Sequence, residues 1–159
     1  MNQKEREIKS KLRLDINRSL LSICITVFTL VVSLKPSVFI KSTIAPLELT
    51  VAIPLFFSSI FARSKLAHTK RPHMWEEYGF YTFLLGYAFL INVLGIILSI
   101  SVGTSLGITF LCMNIVISLV YSTLEVIEER GKLTSRIKKD LCFGLLVFLG
   151  GIVPVLFLS

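Results

Sequence analysis

The chain has 159 residues, of which 53% are hydrophobic and only 17% charged, with a formal net charge of +7. A soluble domain carries about 25% charged residues and at this length cannot hide so large an apolar share. A cytosolic enzyme, a disordered chain and a disulfide scaffold are therefore excluded, and an all-α integral membrane protein is expected: five transmembrane helices with an N-terminal amphipathic helix and no soluble domain.

Residues 4–18 have the pattern of an amphipathic helix, with Ile8, Leu12 and Ile16 four apart and the pairs Glu5–Lys9 and Glu7–Lys11 in the favourable order. The first span is expected at about 19–37. Its apolar part, Ser19 to Leu34, covers about 24 Å of a core roughly 30 Å thick, so Lys35 must snorkel. The following Ser33-Leu34-Lys35-Pro36-Ser37 has no small-residue cleavage site, so the segment reads as a retained span rather than a signal peptide. Asn17-Arg18-Ser19 is a glycosylation sequon on the side assigned to the cytoplasm, and is incidental. Ser19, Ser22, Thr26, Thr29 and Ser33 recur at steps of three and four, with Asp15 extending the row. At 100° per residue they share about 80° of arc, giving this span one hydroxyl-bearing face.

The second span is expected at about 42–62. Pro46 suits a helix start, whereas Pro54 is interior and should kink the helix and free the Thr50 carbonyl. Glu48 is the one acidic residue inside a span. Ionisable groups in lipid are functional candidates by default, although a carboxylate in the first helical turn, near the outer interface, also suits the helix dipole.

Tyr78 to Leu124 contains no Asp, Glu, Lys or Arg, too long a run for one helix. Its turn-like cluster, Ser101-Val102-Gly103-Thr104-Ser105, divides it into a third span at about 78–100 and a fourth at about 105–124, the latter continuing as helix to about 130 and ending at Gly131. The third span has small residues on two opposite faces, Gly79, Thr82 and Gly86 on one and Ala88, Asn92, Gly95 and Ser99 on the other, as a helix sandwiched between partners requires. The fourth carries a polar row of Asn114, Ser118 and Ser122 that continues to Glu125 and Glu129. The fifth, at about 141–158, is weakened by Gly150, Gly151 and Pro154. Interior prolines in spans two and five, and polar rows in spans one and four, also fit a degenerate 2+1+2 inverted repeat.

Lys and Arg are strongly segregated. Six precede the first span, four lie between spans two and three (Arg63, Lys65, Lys70, Arg71) and five between spans four and five (Arg130, Lys132, Arg136, Lys138, Lys139), against Lys35 and Lys41 on the alternate side. The positive-inside rule then places the N-terminus in the cytoplasm and the C-terminus outside. Trp75, Tyr78, Tyr81 and Tyr121 fall at the expected cytoplasmic edge. Charge so placed attracts anionic lipid head groups rather than nucleic acid. A multi-pass protein of the cell membrane is expected.

Catalytic patterns are sparse. Lys65 to Pro72 (KLAHTKRP) resembles the first motif of the type-2 phosphatidic acid phosphatases, but its Lys-to-Arg spacing is one residue short and the family's Ser-Gly-His and second His motifs are missing. G-x-S-x-G, H-E-x-x-H and the paired aspartates of CDP-alcohol transferases are also missing. His68, His73, Glu76 and Glu77 are the densest possible ligands, yet Pro72 separates the histidines and they share no helical face. Cys24, Cys112 and Cys142 have no ligand spacing and read as small buried hydrophobes. No catalytic set, metal or cofactor is expected.

Two functional expectations remain. The first is an oligomeric channel, transport or pore-forming protein with the polar faces of spans one and four lining a path and Glu48 near its outer mouth. The second is a non-catalytic membrane subunit or adaptor whose polar rows are helix-packing surfaces.

Overall fold

Runs of apolar helix formers broken by short Gly-, Pro- and Ser-bearing segments give an all-helical fold. The computed structural model describes residues 3–34, 36–66, 69, 72–128 and 133–157. The order is α1 (Gln3–Leu34), α2 (Ser37–Lys41), α3 (Ile44–Leu66), α4 (Pro72–Ser101), α5 (Thr104–Glu128), α6 (Leu133–Val147), a π-helical turn (Phe148–Ile152) and α7 (Val153–Phe157). Among the described residues, five stretches are long and apolar enough to cross a membrane: Lys11–Ser33, Ile44–Leu66, Pro72–Ser101, Thr104–Ile127 and Arg136–Phe157. The expected amphipathic lead-in is continuous with the first of them in α1, and its Ile8, Leu12 and Ile16 are exposed. Lys35, Glu129 and the expected stop at Gly131 lie outside the described residues.

Helix α4 is the axis of the bundle. Half of its apolar window is buried, against 11% for α5. Its two small-residue faces explain why. A Cβ on Gly79 would lie 3.0 Å from the Ala62 Cβ, and one on Gly86 would lie 3.4 Å from Leu55 and Phe56, so this face seats α3. On the opposite face a Cβ on Gly95 would lie 2.6 Å from Leu111, while one on Gly107 would lie 2.7 Å from the Gly95 carbonyl oxygen and 2.8 Å from Ser99. The α4–α5 crossing is therefore a backbone-to-backbone approach that only glycine permits. Two apolar clusters result. Cys24, Leu49, Ala52, Phe56, Leu90 and Val93 fill the α1–α3–α4 side, and Ala45, Ala88, Ile91, Ile96, Leu111, Phe143, Val147 and Val155 fill the side toward α5, α6 and α7.

The connection between α4 and α5 reverses at Gly103, whose φ of 151° disfavours other residues. The N–H groups of Val102 and Gly103 both donate to the Leu98 carbonyl, and those of Leu106 and Gly107 to the Gly103 carbonyl. At the start of α3 the Ser42 hydroxyl accepts the Ala45 N–H at 3.4 Å. Helix α3 runs unbroken through the exposed Pro54. The last span is interrupted where Gly150, Gly151 and Pro154 coincide with the π turn. Pro54 thus lies within regular α-helix, and Pro154 just after a π turn.

Described basic residues of the three segments meet at one end of the bundle. Arg13 pairs with Glu76 at 3.1 Å, Arg136 pairs with Glu125, and the Lys139 ammonium lies 4.2 Å from the centre of the Phe80 ring. The buried Arg63 lies beside Gly79 at the same end.

Candidate functional site

The α3–α4 seam holds a buried carboxyl–amide pair. Glu48 lies one turn inside α3 and is 5% exposed, and Asn92, in the second half of α4, is fully buried. Asn92 Nδ2 donates to Glu48 Oε1 at 3.0 Å and to the Leu146 carbonyl at 3.2 Å. Three helices are joined by one amide group. Glu48 Oε2 and Asn92 Oδ1 are buried without a hydrogen-bond partner, and among the described residues no Lys, Arg or His pairs with Glu48. A buried acceptor left unsatisfied costs about 1–3 kcal/mol, which sets this pair apart from ordinary packing.

Local sequence explains why the last span can approach it. Pro154 has no N–H for the Gly150 carbonyl four residues back. The Val153 N–H, which in an α-helix would serve Leu149, donates to Phe148 instead. This π register widens the helix where Gly150 and Gly151 face the pair. A Cβ on Gly150 would lie 2.3 Å from Glu48 Oε1 and 2.4 Å from Asn92 Nδ2, and one on Gly151 would lie 2.7 Å from Asn92 Oδ1. Single π turns inside α-helices are frequent at functional sites.

A second polar junction lies toward the basic end. Asn17 Nδ2 donates to the Ser59 hydroxyl at 2.8 Å, and that hydroxyl donates to the Gly79 carbonyl at 2.7 Å. This chain of hydrogen bonds pins α1 to α3 and α4.

The polar rows singled out in the sequence are not brought together within one chain. Ser19, Ser22, Thr26, Thr29 and Ser33 are all exposed, because α1 turns Asn17, Cys24 and Val31 inward. The Ser19 and Thr29 hydroxyls donate to the carbonyls of Asp15 and Ile25 on their own helix. On α5, Asn114 and Ser118 are half-buried and Ser122 is buried. Asn114 donates to the carbonyl of Phe110, and the row ends at the Glu125–Arg136 ion pair with α6. Helix α1 packs on α3, whereas α5 packs on α4 and α6, so the two rows look in different directions.

Cys24 is buried as expected, Cys142 is half-buried, and Cys112 is exposed rather than buried. His73 and Glu77 form an exposed pair at 3.7 Å, while His68 lies outside the described residues. Among the described residues no three His, Cys, Asp or Glu side chains converge on one point.

Sequence reasoning singled out Glu48 and assigned Asn92 and the two glycines to packing and helix weakening. One signal was available: a single acid in one span, a single amide in the middle of the next, and a Gly-Gly-x-x-Pro break in a third. No family model, no curated protein and no solved structure matches this chain.

Proposed function

We propose that the chain is a multi-pass protein of the cell membrane, N-terminus in the cytoplasm and C-terminus outside, that transports or conducts a small cation through the Glu48–Asn92 site. The membrane reading is supported by the five apolar stretches and by the exposed aliphatic and aromatic side chains along them, among them Leu30, Phe57, Ile117, Val120 and Leu149, which suit lipid as solvent. The orientation is supported by the gathering of Arg13, Arg63, Arg136 and Lys139 at one end, where anionic lipid head groups attract basic side chains.

The observation that carries the transport reading is a carboxyl group buried in apolar surroundings beside a π turn, accepting from an amide that also donates to the Leu146 carbonyl. Intramembrane acids mark ion or proton pathways, and broken helices at mid-membrane are where transporters bind their ions. The path is therefore assigned to the α3–α4–π-turn junction. The outward row from Ser19 to Ser33 is assigned to contact with lipid or a second copy. Purified protein in liposomes should pass protons or monovalent cations, with Glu48→Gln abolishing the flux and Thr26→Val leaving it intact. Flux no greater than that of empty liposomes refutes the reading.

A second reading, a non-catalytic subunit, is favoured by α5. Val116, Leu119, Val120, Thr123 and Leu124 line a shallow apolar groove on its outer side. Another membrane chain retained in stoichiometric amount in mild detergent would support it.

A further inference from the structure

We propose that the Glu48–Asn92 pair holds one exchangeable proton, carried on Glu48 Oε2 and shared with Asn92 Oδ1, and that a proton is the cation the site takes. The use of that proton rests on the transport reading above; its presence does not.

The hydrogen-bond inventory carries the inference. A primary amide has two N–H donors and one acceptor oxygen, and an ionised carboxylate has acceptors only. Both Asn92 donors are engaged, one by Glu48 Oε1 and one by the Leu146 carbonyl. What remains is two buried oxygens, Glu48 Oε2 and Asn92 Oδ1, each without a donor. They belong to the same two groups that the Nδ2–Oε1 bond already joins. A single hydrogen placed on Oε2 turns one orphan acceptor into a donor for the other. The product is a cyclic acid–amide pair in which each partner donates once and accepts once. In this step one O–H bond forms at Oε2, and its reversal returns the proton to water or to the next acceptor.

The surroundings select a proton over a metal ion. The pair lies between the two apolar clusters, with Ala45 and Leu49 flanking Glu48 on α3 and Ile91 and Val93 flanking Asn92 on α4. Gly150 and Gly151 close it so tightly that neither position has room for a Cβ, and a Leu111 methyl carbon would lie 3.0 Å from a Cβ on Gly151. Hard metal cations gather about six oxygens, whereas two side-chain oxygens are open here. Among the described residues no ion pair reaches Glu48; its carboxyl accepts from Asn92, and Lys41, seven positions earlier on α2, is exposed.

Infrared spectroscopy of the full-length protein in lipid at neutral pH tests this without any flux measurement. The expected result is a protonated-carboxyl C=O band that shifts down in D2O and is missing from Glu48→Gln. A glutamine at 48 reproduces the proposed proton with its own N–H, so this variant should also keep the wild-type melting temperature. Carboxylate bands alone, or a protonated-carboxyl band that Glu48→Gln leaves in place, overturn the proposal. So does a sodium- or potassium-dependent rise in melting temperature that Glu48→Gln removes, which identifies a metal-ion site. The band without flux refutes transport and leaves the proton site standing. Flux without the band does the reverse.

Discussion

Gly150→Ala is the sharpest test of the packing around Glu48, because its neighbour Gly144 supplies an internal control six residues earlier in the same span. The added methyl would sit 2.3 Å from Glu48 Oε1 and 2.4 Å from Asn92 Nδ2, both far inside contact distance. Both are terminal side-chain atoms, but each is tethered by the hydrogen bond between them. Moving either one breaks the hydrogen bond between them and shifts the Asn92 link to Leu146. Overpacking a well-filled interior costs about 1–3 kcal/mol, and a polar interaction between membrane helices contributes about 0.6 kcal/mol on average and up to about 1.7. Together these predict a loss of about 2–4 kcal/mol. At Gly144 nothing lies within 4 Å of the added methyl, and replacing a helical glycine by alanine gains up to about 1 kcal/mol of propensity. Reversible unfolding in mixed detergent, followed by the fluorescence of Trp75, measures both variants against wild type. If Gly150→Ala proves as stable as Gly144→Ala, the site is not packed as described and the close approach of the π turn to Glu48 is refuted.

Ser59→Ala removes the hydroxyl that accepts from Asn17 and donates to Gly79, leaving the buried Asn17 amide without that partner; a loss of about 1–2 kcal/mol is expected in the same unfolding assay. Replacing Ser22, Thr26 and Ser33 together by alanine should leave unfolding of the single chain within about 0.5 kcal/mol of wild type, because these positions face outward. Any larger effect should appear as a change of oligomeric state in native mass spectrometry, and a large loss of single-chain stability would place this face inside the bundle.

Much of the fold was legible because in this chain composition and punctuation act together. The reversal at Gly103 is written in Ser101–Ser105, and the sandwiched position of α4 in its two faces of mostly small residues, since small residues let neighbours approach on both sides. Helical periodicity groups residues into faces but does not say which face turns inward. On α1 the inward face is Asn17, Cys24 and Val31. The hydroxyls on the other side satisfy themselves on carbonyls four residues back, as Ser19 and Thr29 do, so their polarity carries no instruction to face a partner. Glu48 was ambiguous for a different reason. Counted from Lys41 it looks interfacial, but its partner Asn92 lies nine residues, roughly 13 Å of helix, before the end of α4 at Ser101. Pairing across helices, which a single sequence does not display, gives Glu48 its partner.

The same logic recasts the residues that look like defects in the last span. Glycine and proline inside a helix are ordinarily read as weakening it. Here each removes a group that would exclude the polar pair. Gly150 and Gly151 omit the Cβ atoms that would strike Glu48 and Asn92, and Pro154 omits the N–H that would hold the Gly150 carbonyl in α register. The Val153 N–H donates to Phe148, and the π turn follows directly on the Leu146 carbonyl to which Asn92 reaches across. A regular α-helix of Leu and Ile in this place would be more stable by propensity alone, and it would close the seam over Glu48. The break in the last span and the buried acid in the second are therefore two halves of one construction, and neither makes physical sense without the other.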